Sequence, residues 1–166
     1  MPTSVHLITG STGAGKTSYA IELATRIGGV RFSIDDWMTT LFWMDSPEPI
    51  EFEWTMARIA RCEAQIRQQV AALAAVGIPS ILDLGFTRAD HRAAFAAFAA
   101  SINADVKLHW LDIAPDERWS RVQRRNAEKG TTFAMNVDRA MFDFMEDQWQ
   151  APNSEEMKTY NGERVC

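Results

Sequence analysis

The nine residues GSTGAGKTS, at positions 10–18, have the composition and spacing of a phosphate-binding loop. Gly10 is followed by four residues and then by Gly15, Lys16 and Thr17, which is the Walker A pattern. The glycines let successive backbone N–H groups turn toward a phosphate, and the helix that follows adds its positive end. Lys16 can reach the β- and γ-phosphates, and the Thr17 hydroxyl can ligate Mg²⁺. We therefore expect a nucleoside triphosphate and Mg²⁺ to bind at these positions: Gly10, Ser11, Thr12, Gly13, Ala14, Gly15, Lys16, Thr17 and Ser18.

A pair of carboxylates, Asp35 and Asp36, follows a predicted strand at 30–34. In a parallel sheet the carboxyl ends of neighbouring strands meet at one edge, where ligands bind, so this pair should lie near the γ-phosphate. A carboxylate there can accept the proton of an attacking hydroxyl group. The alternative is that Asp35 only caps the following helix. We favour Asp35 as the base and expect Asp36, with the neighbouring Trp37, to contact the acceptor.

The predicted strand at 78–86 is apolar up to a third acid, Asp83, which should reach the same sheet edge. This position suits an outer-sphere ligand of Mg²⁺, the usual partner of a phosphate-binding loop. A helix cap or a loop acid is the alternative. Arg88 follows on the same side and could either bind substrate or only cap its surroundings.

The segment DERWSRVQRRN holds four arginines, and Arg118, Arg121 and Arg125 share one face of the predicted helix. Arg124 is turned away from that face by about a third of a turn. Arginines on one stripe can neutralise the charge that develops on a transferred phosphoryl group. The small and polar residues that follow suit a mobile cover, so we predict a lid over about 118–135 in which Arg121 and Arg125 contact phosphate. A solvated, locally paired helix face is the alternative.

Strands alternating with helices must position these groups. Apolar runs predict four strands, at 4–9, 30–34, 78–86 and 105–112. Helical spacing of apolar residues, with Gly, Pro and capping residues at the ends, predicts helices at 16–27, 54–76, 88–100, 115–129 and from Asn136 or Asp138 to Trp149. We expect an irregular segment at 35–53, which contains Pro47 and Pro49, and a fifth strand around 157–160. The alternation predicts a three-layer α/β fold with a mainly parallel sheet.

Composition limits the class of protein. The chain has 166 residues, enough for one domain, and 46% of them are apolar, as in soluble globular proteins. No apolar run is long enough to span a membrane, and the start lacks the features of a signal peptide. A net charge of −5 disfavours a general nucleic-acid partner, and the isolated Cys62 and Cys166 suggest reduced thiols in a cytoplasmic compartment. His6, His91 and His109 lack the spacing of a metal site, so we expect structural roles for them.

Together the motifs GSTGAGKTS, FSIDDWM, ILDLGFTRADHR and RVQRRN resemble those of the AAA_33 group of small P-loop kinases. That group is related to zeta-toxin, chloramphenicol phosphotransferase and polynucleotide 5′-kinase domains. The resemblance implies an adenylate-kinase-like core that transfers the ATP γ-phosphate to a hydroxyl group. In the polynucleotide kinase and zeta-toxin relatives an aspartate after the second strand is the base, and the resemblance implies that Asp35 is the matching residue. It also implies that the lid arginine of these relatives corresponds to a residue in the stretch 121–125. By the same resemblance, adenine is expected to pack beside Pro152 and Asn153. The polynucleotide kinases carry a basic residue before the aspartate pair, whereas Ile34 stands here, which weakens a nucleic-acid acceptor.

The acceptor region is predicted over about 35–76, where aromatic residues are interspersed with acids. Aromatic faces beside carboxylates suit a compact apolar or cationic molecule better than a polyanion, although the same aromatics could simply pack a helix onto the sheet. We therefore expect an ATP-dependent kinase that phosphorylates a hydroxyl group of a small molecule. Two alternatives stay open: a polynucleotide or nucleotide-sugar kinase of the toxin type, and an ATP-dependent switch without an acceptor.

Overall fold

A computed structural model of the chain describes residues 2–130 and 135–166. The described residues contain one sheet of five strands: β1 Ser4–Thr9, β2 Val30–Ser33, β3 Ser80–Asp83, β4 Asp105–Leu111 and β5 Glu163–Val165. The strand order is β2-β3-β1-β4-β5, and every neighbouring pair is parallel. The predicted α/β class with a parallel sheet is confirmed, and β1, which leads into the phosphate-binding loop, lies at the centre of the sheet.

Helices cover the sheet and connect its strands. They are α1 Lys16–Ile27, α2 Ile34–Leu41, α3 Phe52–Ala75, α4 Ala89–Ser101, α5 Pro115–Glu128, α6 Arg139–Gln148 and α7 Ser154–Thr159, with a short 3₁₀ helix at Trp43–Asp45. No helix in the two described ranges has the length and apolar character needed to cross a membrane.

The parallel register brings the ends of the strands to one edge of the sheet. Ser33, the last residue of β2, lies opposite Asp83, the last residue of β3. β1 runs beside β3 and ends at Thr9, directly before the phosphate-binding loop. The segments that follow β1, β2 and β3 therefore emerge together, which places the loop, Asp35 and Asp83 at one edge as predicted.

The core lies on both faces of the sheet. Leu7 of β1 belongs to a buried cluster that includes Ile66 of α3 and Phe95 of α4. The next residue, Ile8, belongs to a second cluster with Leu23 of α1. Because successive strand residues point to opposite faces, these two clusters form the two interfaces of a three-layer fold. A central parallel strand is buried on both faces, so it appears in the sequence as an unbroken apolar run.

The segment predicted to be irregular begins with a helix. The hydroxyl of Ser33 caps α2 by accepting a hydrogen bond from the backbone N–H of Asp36 at 3.2 Å. Ile34 therefore begins α2, whereas the sequence had predicted that it is the last residue of β2. A helix of eight residues spans only two turns, too few to establish a period beside the prolines that follow.

The fifth strand lies further along the chain than predicted. Residues at 157–160 belong largely to α7, whose N-cap Asn153 accepts a hydrogen bond from the backbone N–H of Glu156 at 2.8 Å. β5 follows as three residues beside β4, with Glu163 opposite His109. Three residues do not show an alternating pattern, so tertiary pairing rather than local sequence determines this strand.

A tight turn after β3 shortens the predicted strand at 78–86. Gly85 and Phe86 have φ angles of 87° and 48°, which lie in the left-handed region and end the extended chain. The Phe86 carbonyl accepts hydrogen bonds from Thr9 Oγ1 at 2.9 Å and from Arg92 Nη1 at 2.8 Å. Arg92 is fully buried and also donates to the Glu156 carboxylate at 2.5 and 3.1 Å. This buried ion pair holds the turn in its left-handed conformation.

Two of the histidines form a buried hydrogen-bonded chain within the fold. Nδ1 of His6 lies 2.8 Å from Nε2 of His109, whose Nδ1 lies 2.8 Å from the Tyr19 hydroxyl. Burial lowers the pKa of both histidines to about 4, so both rings are neutral at neutral pH. The chain of hydrogen bonds joins β1, β4 and α1.

Candidate active site

An open cleft of about 1000 Å³ lies at the carboxyl edge of the sheet. The phosphate-binding loop, the ends of β2 and β3, and α5 bound it. The predicted site residues that line the cleft are Gly10, Ser11, Thr12, Gly13, Ala14, Gly15, Lys16, Thr17, Ser18, Asp35, Asp83, Arg121 and Arg125. The structure therefore brings together the loop, the proposed base, the proposed Mg²⁺ ligands and two arginines of the predicted lid.

The phosphate-binding loop has the backbone geometry that its glycines allow. Gly13 and Gly15 have φ angles of 80° and 89°, in the left-handed region. Gly15 is the N-cap of α1, and it has no side chain to accept hydrogen bonds from the first turn. The N–H groups at the start of α1 are thus available to a phosphate, which the positive end of the helix also attracts.

We expect Gly13→Ala to destabilise the protein by about 2–5 kcal/mol, from backbone strain and overpacking together. A Cβ at this position would lie 2.5 Å from the Arg118 carbonyl oxygen and 2.9 Å from a Val122 methyl group. Gly15→Ala is the matched control, because it has the same left-handed strain but meets only Arg121 Nη1, at 3.4 Å. Urea denaturation of both variants measures the difference, and equal losses would contradict the predicted clash.

Lys16 folds back onto the loop that carries it. Its Nζ donates to the Gly10 carbonyl at 2.7 Å and is 3.3 Å from the Ser11 carbonyl. Burial lowers the pKa of Lys16 to about 8, although the charges of Asp83 and Asp35 oppose the shift. The ammonium group is held inside the cleft, where the phosphates of a nucleotide would replace its carbonyl partners.

We expect the affinity for ATP to fall by up to about tenfold per pH unit above pH 8, because free Lys16 then loses the proton that phosphate binding requires. Phosphate raises the pKa of the bound lysine, so binding takes up a proton in this range. Titration with a fluorescent ATP analogue from pH 7 to pH 10 measures the slope. The Lys16→Arg variant stays protonated and should lack this slope; an equal slope in both proteins would contradict the assignment.

The two predicted Mg²⁺ ligands lie in contact. The Thr17 hydroxyl donates to Asp83 Oδ2 at 3.2 Å, at the start of α1 and the end of β3. A hydroxyl and a carboxylate supply hard oxygen ligands, and Mg²⁺ typically uses one or two such protein groups together with substrate phosphates. No cluster of three or more His, Cys, Asp or Glu residues in the described ranges could hold a metal ion without a nucleotide. The donor set therefore fits a magnesium–nucleotide complex.

Arg31 is a part of the site that the sequence analysis missed. Its Nε and Nη2 donate to Asp83 Oδ2 at 3.2 and 2.7 Å, and its Nη1 donates to Asp36 Oδ2 at 3.1 Å. These contacts orient the Asp83 carboxylate and join it to the start of α2. The available signal was Arg31, a single charged residue within the strand VRFS. Arg31 lies on the same face of the strand as Ser33, two positions later, and Ser33 lies opposite Asp83.

Asp35 is the second residue of α2 and faces the cleft. Its side chain is exposed to the open cleft. Desolvation within the cleft raises the pKa of Asp35, and the nearby negative charge of Asp83 adds to the effect, while Lys16 and Arg125 oppose it. A raised pKa makes a carboxylate a better proton acceptor near neutral pH. Asp35 therefore lies within electrostatic reach of the phosphate-binding groups, and its pKa is shifted in the direction that favours proton acceptance.

Arg118 supports the phosphate-binding loop from behind. It is buried, and its Nη1 and Nη2 donate to the Glu146 carboxylate at 2.9 and 2.8 Å. Glu146 also accepts a hydrogen bond from the Ser11 hydroxyl at 2.6 Å, and Arg118 Nε donates to the Ile113 carbonyl at 2.9 Å. Arg118 thus joins the loop, α5 and α6. The sequence analysis missed Glu146, because this acid has no local motif.

The other three arginines of α5 line the cleft. Arg121 donates to the Ala14 carbonyl at 3.2 Å and to Glu117 at 2.6 Å. Arg125 also lines the cleft, and its Nε is buried without a hydrogen-bond partner among the described residues. Arg124 also lines the cleft, which corrects the prediction that it is turned away. The predicted lid over 118–135 includes 131–134, which lie outside the described residues.

Five predicted site residues do not line the cleft. Asp36 pairs with Arg31, Trp37 packs against the core near Phe32, and Arg88 pairs with Asp90 at the surface. Pro152 is buried, and Asn153 caps α7. Residues without a recognisable motif also line the cleft, among them Ile59, Gly85, Thr87, Gln148, Trp149, Val165 and Cys166.

Solved structures share this fold. Kti12 from Chaetomium thermophilum in complex with ADP-AlF3 aligns with a TM-score of 0.73 and 12% identity, over 98% of this chain and 88% of that chain. A gluconokinase from Sinorhizobium meliloti 1021 aligns with a TM-score of 0.64 and 15% identity, over 99% of this chain and 82% of that chain. A chain of the Pnkp1/Rnl/Hen1 RNA repair complex aligns with a TM-score of 0.67 and 17% identity, over 89% of this chain. This chain spans 44% of that longer one. At such low identities the likeness establishes the P-loop kinase fold alone.

Sequence comparison defines the family. No curated protein sequence matches the chain significantly. The model of the AAA_33 family, described as an AAA domain, matches residues 5–152, which include the phosphate-binding loop, Asp35, Asp83 and the arginines of α5. Since this match spans most of the chain, the protein belongs to the AAA_33 family of AAA domains, with a P-loop kinase-like fold.

Proposed function

We propose that the protein is a kinase that transfers the γ-phosphate of ATP to a hydroxyl group of a small molecule. The observation that carries the proposal is the position of Asp35. Its carboxylate, with a raised pKa, lines the same cleft as Lys16, Arg125 and the Thr17–Asp83 pair. A binding site for nucleotide alone does not need a proton acceptor beside the phosphate groups.

In the proposed reaction, Asp35 accepts the proton of the acceptor hydroxyl as its oxygen attacks the γ-phosphorus. The bond between that phosphorus and the bridging oxygen breaks, and ADP leaves with the electron pair. Mg²⁺, held through Thr17 and Asp83, would neutralise charge on the β- and γ-phosphates. The products are ADP and a phosphate ester, and the proton remains on Asp35 until solvent removes it.

The cationic groups of the cleft would stabilise the transferred group. Lys16 exchanges its carbonyl partners for β- and γ-phosphate oxygens, and the Arg125 guanidinium lines the same cleft. Positioned cations act most strongly on the charge of the transition state when water is excluded from the site. Arg121 lies beside the loop, where it contacts the Ala14 carbonyl, and would stabilise the nucleotide phosphates.

A small acceptor agrees with the size and charge of the site. A cleft of about 1000 Å³ has to hold both ATP and the acceptor, which leaves room for a compact molecule. The chain has a net charge of −5, whereas polynucleotide binding depends on a broad basic surface. A polynucleotide kinase is therefore less favoured, and an acceptor-free switch is less favoured because it needs no proton acceptor such as Asp35 in the cleft.

A transfer assay with γ-labelled ATP, Mg²⁺ and a library of hydroxyl compounds tests the proposal, with Lys16→Ala as the blank. Label should pass to at least one small molecule in the wild-type protein and to none in the blank. Label on RNA or DNA ends alone would instead support the polynucleotide kinase. ATP binding without transfer to any compound, together with a partner protein that distinguishes ATP from ADP, would contradict the kinase and support the switch.

A further inference from the structure

The cleft has two chemically different ends. The cationic residues that line it in the described ranges, Lys16, Arg121, Arg124 and Arg125, all belong to the phosphate-binding loop, α1 or α5. Part of the uncharged lining comes from the ends of β2 and β3, from α3 and from the end of α6. We call this wall the acceptor end and define it by Ile34, Ile59, Gly85, Thr87, Gln148 and Trp149.

The acceptor end is a built and uncharged surface. The backbone N–H of Gln150 donates to the Thr87 carbonyl at 2.9 Å, and the Gln150 side chain accepts from the Ala89 N–H at 2.9 Å. These bonds fasten the segment after α6 to the turn after β3. The Arg92 guanidinium lies 5.8 Å from the centroid of the Trp149 ring and helps to hold the indole in place. The wall therefore has a defined shape before an acceptor binds.

The arginines near this wall have other partners. Arg31 is bonded to Asp83 and Asp36, and Arg92 is buried against Glu156. Arg58 stacks on the Trp54 ring at 4.0 Å, and Arg88 pairs with Asp90 outside the cleft. The residues at 131–134, outside the described ranges, have the sequence TTFA and carry no charge.

Among the charged residues that line the cleft, Asp35 follows β2 and Asp83 ends β3, the two strands whose ends contribute to the acceptor end. A carboxylate or phosphate group on the acceptor would be repelled by both and would meet no unpaired cation among the four described arginines named above, whereas an apolar body can pack on Ile59 and Trp149. From this distribution of charge we infer that the acceptor is a hydroxyl compound without negative charge, with an apolar or aromatic body. This inference rests on the proposed kinase function.

Binding of two matched probes tests the inference without using phosphoryl transfer. Benzyl alcohol and 4-(hydroxymethyl)benzoate differ only by the carboxylate, and saturation-transfer NMR with Mg²⁺ and a non-hydrolysable ATP analogue measures their affinities. We expect benzyl alcohol to bind at least about tenfold more tightly. Equal binding, tighter binding of the carboxylate or no binding of either probe would overturn the inference.

A positive charge placed in the acceptor end should reverse the preference for benzyl alcohol over the carboxylate probe. Ile59→Arg is expected to bind the carboxylate probe more tightly than benzyl alcohol, whereas Ile59→Met keeps the wild-type order. If thermal melting shows that Ile59→Arg is unfolded, Thr87→Lys provides a positive charge at another position of the same wall. Arg88→Ala should leave the ratio unchanged, and a changed ratio in that variant would place a cation in the site and overturn the inference. Failure of the transfer assay would contradict the kinase function while leaving this binding preference intact.

Discussion

Replacement of Asp35 by asparagine is expected to lower the rate of phosphoryl transfer by about 10²–10⁴-fold, the usual contribution of a general base. The amide keeps the size and hydrogen-bonding capacity of the side chain but cannot take the proton of the acceptor hydroxyl. ATP binding should change little, because Lys16, Arg121, Arg125 and the loop N–H groups all remain. Transfer of γ-label to the acceptor found in the library screen, and titration with a fluorescent ATP analogue, measure the two effects separately.

Asp36→Asn is the matched control for this experiment. Asp36 is the next residue on α2, but its side chain is exposed and pairs with Arg31 outside the cleft. We expect its transfer rate to stay within a few-fold of the wild-type value, since exposed ion pairs contribute little. Undiminished transfer in Asp35→Asn, or an equal loss in both variants, would contradict the assignment of Asp35 as the base.

Replacement of Arg92 by methionine is expected to lower the free energy of unfolding by about 3–5 kcal/mol, because it leaves the Glu156 carboxylate without its buried partner. The Arg92 side chain is fully buried, and it also satisfies the Phe86 carbonyl in the left-handed turn. For a chain of this size, such a loss corresponds to a fall of roughly 6–20 °C in the melting temperature. Urea denaturation and calorimetry measure both quantities.

Two further variants separate this ion pair from simple loss of an arginine. Arg88→Met removes an exposed arginine of the same segment, paired only with Asp90, and should change stability by less than about 0.5 kcal/mol. The double variant Arg92→Met, Glu156→Gln should recover part of the loss, because no charged group is then left buried alone. If Arg92→Met proved as stable as Arg88→Met, the buried pair would not be what holds the turn.

The same turn connects stability to the proposed function. Gly85 and Thr87 line the acceptor end, and Phe86 between them is held by Thr9 and Arg92. Loosening the turn should therefore raise the KM for the acceptor more than the KM for ATP. The phosphate-binding loop has its own support in the Arg118–Glu146 pair, with Glu146 also bonded to Ser11 of the loop.

Local sequence determined those features whose physical causes lie within a few residues. The glycines, lysine and threonine of the phosphate-binding loop act through their own backbone and the helix that follows, so GSTGAGKTS alone predicted where a nucleotide phosphate would bind. The apolar runs predicted the central strands, because parallel strands are buried on both faces. Because the carboxyl ends of parallel strands meet at one edge of the sheet, the sequence also predicted that Asp35 and Asp83 lie near the phosphate-binding loop.

Only the tertiary structure decided which side chains meet across long separations. Arg118 pairs with Glu146 and Arg92 with Glu156, which are 28 and 64 positions apart in the chain. Arg88 pairs with Asp90 outside the cleft. Arg124 lines the cleft, although its position on the helix had suggested that it points away from Arg118, Arg121 and Arg125. The uncharged acceptor end is assembled from α2, α3, the turn after β3 and the end of α6, so no single segment contains its pattern. Helical and strand periods specify faces of elements, whereas the contacts between those faces depend on packing that the whole chain determines.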